Sequence, residues 1–315
     1  MPEVKTSLSQ LAADLQTHPA ILEKAQIHRA YAPAVELTGS SRIGDDCAAI
    51  PDPVSGGHLL FASEGMLDSF VAEDPWFAGY SAVMVNLSDV AAMGGRPIAI
   101  TNTLWTPDQT GTNEIWLGMR AASIAYGVPV VGGHTTKTKH DKAVTLGASV
   151  LGRAGQHLLT SFDAKPDDLL VIVIDMQGAY RKDKPFWNAS TTSNAEKLQN
   201  NLELLASLAE TKWCAAAKDI SNGGIIGTLA MFCNCSEVGA EVVLDKLPRP
   251  VGTDWLKWLV SFPSYGYLLA VKDENLNAVT SHFCPHGITV ASFGRFTATQ
   301  GISLSLEGNS ETLKL

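Results

Sequence analysis

Apolar residues recur along this chain with two alternating periods, and the switches between them divide it into elements. Leu8, Leu11, Leu15, Ile21, Leu22, Ala25 and Ile27 have the spacing of a helix face. Pro19 interrupts them, so residues 8–31 predict two short amphipathic helices forming an N-terminal arm. Residues 59–62 predict a buried strand with Glu64 at its carboxyl end. Residues 76–93 predict a helix whose apolar stripe includes Val83, Leu87, Val90 and Ala91. It ends on Gly94 and Gly95, and Pro97 forbids continuation. A strand follows around 98–104, then a helix over 113–126. Next comes a short buried strand ending in Gly132, Gly133, His134 and Thr135. Residues 142–154 predict a β-branched strand returning antiparallel.

The pattern restarts after DAKPDDLL, a polar, proline-bearing link at 163–170. LLVIVID predicts a strand, 180–194 a polar stretch, and 195–210 a helix. AAAKDISNGGIIGTLAMF predicts a strand, an acidic turn and the start of another helix. YGYLLAV, DENLNAVTSHF and GITVASFGRF then read as strand, helix and strand. Both halves mix the two periods, which favours two α+β domains over one large sheet. The divisions fall at 1–38 for the arm, 39–160 for a first domain and 161–315 for a second. No short-period repeat or low-complexity segment is present.

Composition narrows the function class. At 315 residues, 45% apolar and 17% charged, the chain reads as an ordinary soluble globular protein. A net charge of -9 and a pI near 5.3 argue against nucleic acid or an anionic membrane as partner. There is no apolar run of about 18 residues to span a membrane. The first twenty residues lack the basic-then-apolar order of a secretory signal. Five cysteines, an odd number without framework spacing, predict reduced thiols in the cytoplasm.

Four stretches place acidic or glycine-rich groups at strand ends or on a packed helix. They are Gly44-Asp45-Asp46, Glu64, Asn86 with Asp89, and Asp219 through Gly224. Asn86 and Asp89 lie three apart and share a helix face, either a solvated polar face or a cation site. Converging carboxylates usually mean a metal, and Mg²⁺ takes oxygen ligands shared between carboxylates and phosphates. The glycine pairs at 132–133 and 223–224 leave backbone N–H groups open to a phosphate. The competing reading of each stretch is a plain turn. The P-loop, dinucleotide-binding and GxSxG signatures are all missing, so a nucleotide site must belong to another architecture. His282, Cys284 and His286 read as a helix end rather than a zinc site, because Pro285 breaks the spacing. Cys233 and Cys235 read as near-buried thiols. Trp76, Trp105, Trp116, Trp255 and Trp258 read as core or interface, and Trp187, Arg181 and Lys184 either bind an anionic or ring-bearing substrate or form a solvated loop.

In this order, GDDCAAI, ASEGM, VNLSDVAAMGGRPIA, VVGGHTT and KDISNGGIIGTL resemble one superfamily. Its members are aminoimidazole-ribonucleotide synthetase, thiamine-monophosphate kinase, selenophosphate synthetase and the hydrogenase-maturation protein HypE. The resemblance covers about residues 40–310 and implies a PurM-like α+β fold of two domains. Its N-terminal α/β domain pairs into a dimeric β-barrel and its C-terminal α/β domain covers the nucleotide. It implies a homodimer that binds ATP and Mg²⁺ in the cleft between the domains. Carried over by motif, Asp45, Asp46, Asp89 and Asp219 are metal ligands, and Glu64, in place of an aspartate, is a further ligand with a slightly longer reach. Asp45, Asp89 and Asp219 are thereby the catalytic candidates. Asn86 and Gly132, Gly133, His134 and Thr135 line the nucleotide, with Gly44, Ser88, Ser221 and Asn222 beside them.

Departures from the motifs bear on the substrate. The arm lacks the Cys/Lys segment of selenophosphate synthetase, and the tail ETLKL has no cysteine like that of HypE. His134 and Asn222 stand where the thiamine kinase has aspartates. The chain is most similar to the synthase-related members of the superfamily. The resemblance implies phosphoryl transfer from ATP to a small-molecule acceptor. A nucleotide-binding subunit serving a partner enzyme is the alternative. A di-metal phosphohydrolase built from Asp45, Asp89, His134 and Asp219 is the third reading.

Overall fold

A computed structural model of the protein describes residues 7–24, 42–108, 112–138 and 144–315. In chain order its elements begin with α1 (Leu8–Thr17), β1 (Ala48–Asp52), β2 (Gly57–Gly65), α2 (Asp68–Glu73) and α3 (Pro75–Ala92). Then come β3 (Gly95–Thr106), α4 (Asn113–Tyr126), β4 (Val130–Lys137) and β5 (Thr145–Ala154). The second half supplies β6 (Leu169–Ile174), β7 (Ala179–Tyr180), β8 (Phe186–Asn188), α5 (Ala195–Thr211), β9 (Cys214–Asp219), α6 (Gly224–Ser236) and β10 (Gly239–Val243). It closes with α7 (Trp255–Leu259), β11 (Phe262–Pro263), β12 (Gly266–Val271), α8 (Leu276–Phe283), β13 (Thr289–Thr297), β14 (Gly301–Leu306) and β15 (Asn309–Leu313). Two compact units result: Asp46–Leu158 with Thr192–Glu210, and Met1–Asp45 with Leu159–Thr191 and Thr211–Leu315.

The first unit is a five-stranded sheet, β1-β2-β5-β3-β4, antiparallel except for the parallel β3–β4 pair. Helix α3 starts on Asp74, whose side chain accepts the Phe77 N–H at 3.3 Å, with Pro75 in the first turn. It stops where Gly94 takes φ +72°. Every residue from Phe77 to Ala92 is buried. The apolar stripe alone does not account for that. Glycines make the difference: a Cβ on Gly79 would overlap the Ile115 backbone, and one on Gly118 would overlap that of Trp76. Helix α4 therefore lies backbone-close against α3, and of the two readings of Asn86 and Asp89 the solvated polar face is excluded, because both are buried.

One further expectation changes here. Strand β4 continues through the glycines to Lys137 and is largely exposed, because it forms the sheet edge and two of its residues lack side chains. Residues 192–210 join this unit: Arg96 on β3 bonds Glu203 at 2.7 Å and Glu210 at 2.8 Å. The sheet face opposite the buried one, which carries Leu60 and Leu104, holds Ile50, Phe61, Trp105 and Leu151 at 39–49% exposure. Phe61 and Leu151 stand directly opposite each other in the β2–β5 register.

The second unit is a seven-stranded sheet, β15-β14-β10-β13-β6-β12-β9, in which only β10–β14 is parallel. A small sheet, β11-β8-β7, accompanies it. Leu8, Leu11, Leu15 and Ile21 of the N-terminal arm belong to this unit's core, so among the described residues the arm is not a separate body. Ala25 and Ile27 lie outside the described residues. The sequence pattern does not predict β14 and β15: their turn carries Glu307 and Gly308, both at positive φ (47° and 80°), and glutamate is a poor hairpin signal. Trp187 is a core residue, not a substrate-binding one. It is 6% exposed, packs edge-on to Trp258, and donates its ring N–H to the Asp175 carbonyl at 3.0 Å.

Candidate metal and nucleotide site

In the first unit, Asp46 and Asp89 each bring a carboxylate oxygen within 4.8 Å of the other. Asp89 is 6% exposed on α3, one turn beyond the fully buried Asn86. The Asn86 amide donates to the Ala82 carbonyl at 2.8 Å, while its carbonyl oxygen is buried with no hydrogen-bond partner. A buried oxygen without a partner is costly, and carboxylates that approach each other repel. The Cys47 N–H bonds the Met93 sulfur at 3.0 Å and ties the end of the Gly44-Asp45-Asp46 turn to the end of α3. Cys47 itself is buried.

The sheet register places Glu64, Ala148, Asn102 and Gly133 in one row across β2, β5, β3 and β4. Glu64 is exposed near the end of β2. Asn102 was not singled out by sequence, and both of its amide atoms are buried without a hydrogen-bond partner. A Cβ on Gly133 would overlap that amide, whereas one on Gly132 meets nothing within 4 Å. His134 and Thr135 follow on the exposed edge, opposite Thr103 and Leu104.

In the second unit, Asp219 is 3% exposed at the end of β9, and Lys218 before it is 2% exposed. The Ser221 N–H donates to the Thr228 hydroxyl at 3.2 Å. The Ser221 hydroxyl accepts from Lys24 at 2.7 Å, so the N-terminal segment reaches this turn. Gly223 and Gly224 have φ of +90° and +65°. The Gly224 N–H is not open to a phosphate as expected, since it donates to the Ser221 carbonyl at 2.9 Å. A Cβ there would also overlap the Val260 backbone, so this glycine is required by packing. Asp45 accepts three hydrogen bonds from Ser161.

Residues 44–154 match the family described as AIR synthase related protein, N-terminal domain, and residues 170–307 match its C-terminal domain. The chain belongs to the AIR synthase-related family. Within reach of the family are an uncharacterized protein of Synechocystis sp., sll0787, 43% identical over 309 residues, 96% of this chain and 94% of that one. Thiamine-monophosphate kinase of Escherichia coli K12 is 28% identical over 306 residues, 86% of this chain and 89% of that one. Among solved structures, T. maritima PurL complexed with ATP aligns with a TM-score of 0.69 at 18% identity, which bears on the fold alone. That alignment covers 81% of this chain and 43% of the PurL chain, so this chain spans less than half of it. The fold is the α+β, two-domain PurM-like arrangement of the family.

Sequence reasoning missed Ser161, Lys218 and Asn102. A lysine inside the apolar run CAAAKDI was a usable signal, because a lysine on a buried strand needs a reason. Nothing local marks Ser161 or Asn102. None of the five cysteines is in a disulfide, and burial pushes the Cys214 and Cys233 thiols up to about 12. Among the described residues no helix is long and apolar enough to cross a membrane.

Proposed function

We propose that this member of the AIR synthase-related family is a Mg²⁺-dependent, ATP-binding enzyme that transfers the γ-phosphate to, or activates with it, a small metabolite. The observation that carries the reading is the Asp46–Asp89 carboxylate pair, 4.8 Å or less apart, with the buried, unpartnered Asn86 oxygen on the same helix one turn before Asp89. All three donors are hard oxygens, the set that suits Mg²⁺. Asp46 and Asp89 hold the metal in this reading. Glu64 and Asp219 are assigned as further ligands on their motifs, and Asp45 on its place in the same turn. Bound Mg²⁺ supplies positive charge that offsets the phosphate oxygens. The edge strand β4 turns a row of backbone groups outward at Gly132, Gly133, His134 and Thr135, where the nucleotide is assigned. Gly44, Ser88, Ser221 and Asn222 are assigned beside it. The acceptor oxygen displaces ADP, and the enzyme's contribution is positioning and charge.

The relatives support ATP as donor: one is a thiamine-monophosphate kinase and another fold neighbour is a PurL complexed with ATP. Homodimerisation through the Phe61–Leu151 face is part of the proposal, since exposed apolar residues concentrate there. An odd number of free thiols suits the cytoplasm. Titration calorimetry of ATP with and without Mg²⁺, followed by a phosphate-release assay, tests the reading. Tight metal-dependent binding, lost in Asp89→Ala and Asp219→Ala with the oligomer intact, is the expected result. Unchanged affinity in both variants overturns the site. Binding without turnover on any acceptor instead favours an accessory nucleotide-binding subunit.

A further inference from the structure

The N-terminal arm brings a lysine to the turn between β9 and α6, and both lie in the second unit. Apolar packing holds the arm there: Leu8, Leu11, Leu15 and Ile21 share a core with Ile225, Ile226 and Leu229 of α6. Residues 19–24 are helical, and Lys24 at their end is half-buried. Its stem has a seat. The Lys24 Cγ lies 3.2 Å from where a Cβ on Gly223 would stand, and 3.7 Å from that of Gly227. The Ala20 carbonyl oxygen is 3.1 Å from the same Gly223 position. Gly223 and Gly227, four apart, thus leave a track for the arm across the start of α6.

Packing accounts for the stem of Lys24, not for its charge. The ammonium donates to the Ser221 hydroxyl at 2.7 Å, and among the described residues no carboxylate answers it. It stands beside the first turn of α6, the positive end of that helix, where a cation is disfavoured and an anion stabilised. Ser221 is fixed in turn. Its N–H donates to the hydroxyl of the fully buried Thr228 at 3.2 Å, and its carbonyl accepts the Gly224 N–H at 2.9 Å. The Ser221 hydroxyl accepts the lysine bond, so its own proton remains for a ligand oxygen. A phosphate oxygen reaching both groups makes charge-assisted bonds that the neutral hydroxyl alone does not supply. We propose that Lys24 is a phosphate-binding residue whose ammonium, with the Ser221 hydroxyl, holds a phosphate oxygen of the ligand at the 219–224 turn. This rests on the nucleotide reading above and adds to it a charge from the arm. The phosphate belongs either to ATP or to a phosphorylated acceptor.

Calorimetric titration of the full chain with ATP and with inorganic pyrophosphate, both in Mg²⁺, tests the assignment. Lys24→Met keeps the stem and removes the charge, so its thermal midpoint is expected to match wild type. Its affinity for both probes is expected to fall by roughly 10- to 100-fold, the usual worth of a hydrogen bond to a charged group. Lys24→Arg is expected to recover most of that loss, and rising salt to shrink it. Should Lys24→Met not fold, Lys24→Gln carries the same expectation. A loss confined to pyrophosphate, with ATP affinity unchanged, assigns Lys24 to the acceptor's phosphate instead of the nucleotide's. Unchanged affinity for both probes overturns the proposal and leaves Lys24 a packing residue. A wild-type protein that binds pyrophosphate but not ATP removes the nucleotide reading, and the pyrophosphate comparison still decides Lys24. Wild type binding neither probe overturns both.

Discussion

Gly133 has no side chain because the carboxamide of Asn102 already occupies the space where one would be. The two residues pair across β3 and β4, and a Cβ on Gly133 would also overlap the Asn102 backbone carbonyl, which the ladder holds in place. Gly133→Ala is therefore expected to destabilise the protein by about 1–3 kcal/mol. Gly132→Ala, with open space and ordinary φ, is expected to leave stability unchanged. Denaturant unfolding of the two variants makes the comparison, and equal stabilities would refute it.

The buried thiols predict an alkaline limit. Cys214 and Cys233 move from an ordinary 9.0 up to about 12, with burial the largest cause for both. The unfolded chain gives up these protons first, so the stabilisation is complete below pH 9 and declines as pH rises toward 12. Two such groups contribute a slope of up to about 2.7 kcal/mol per pH unit. Thermal midpoints across that window check the sign, and the Cys214→Ala/Cys233→Ala variant should flatten the decline. Disulfide-exchange reagents at pH 8 should find the exposed Cys284 readily and reach these two only on unfolding.

Arg96 joins β3 to α5 through Glu203 and Glu210, and the Glu210 hydrogen bond is the main cause of its raised pKa. All three side chains are 44–59% exposed, so water and salt weaken the bridge. Arg96→Met is expected to cost no more than about 1 kcal/mol at low salt. The difference from wild type should shrink as ionic strength rises, and a cost that ignores salt would point to lost packing instead.

The Phe61 and Leu151 pair gives the dimer proposal a direct test. Phe61→Lys with Leu151→Lys places like charges opposite each other on an exposed face, where a lone subunit tolerates them and a sheet-to-sheet interface does not. Sedimentation velocity is expected to show a dimer for the wild type and a monomer for the variant. A dimer that survives both lysines would move the interface elsewhere.

Elements whose periodicity is strong were legible from the residues alone. The helix over Asn113–Tyr126 has the bounds its pattern predicts, and α3, β6, β9 and β12 fall within a few residues of theirs. Local chemistry suffices there, because caps, glycines and prolines act over a few residues. The ordered motifs also identified the family. The pattern could not decide what lies against each element. Whether Asn86 and Asp89 met water or protein depended on what packs around α3, every residue of which from Phe77 to Ala92 is buried. Whether Trp187 met a substrate or Trp258 depended on packing between segments some seventy residues apart. Asp45 and Asp46 are indistinguishable as letters, and only contacts with Ser161, 116 residues away, separate them. Sequence fixes what a short stretch prefers; burial and partners arise from long-range packing that no local window contains.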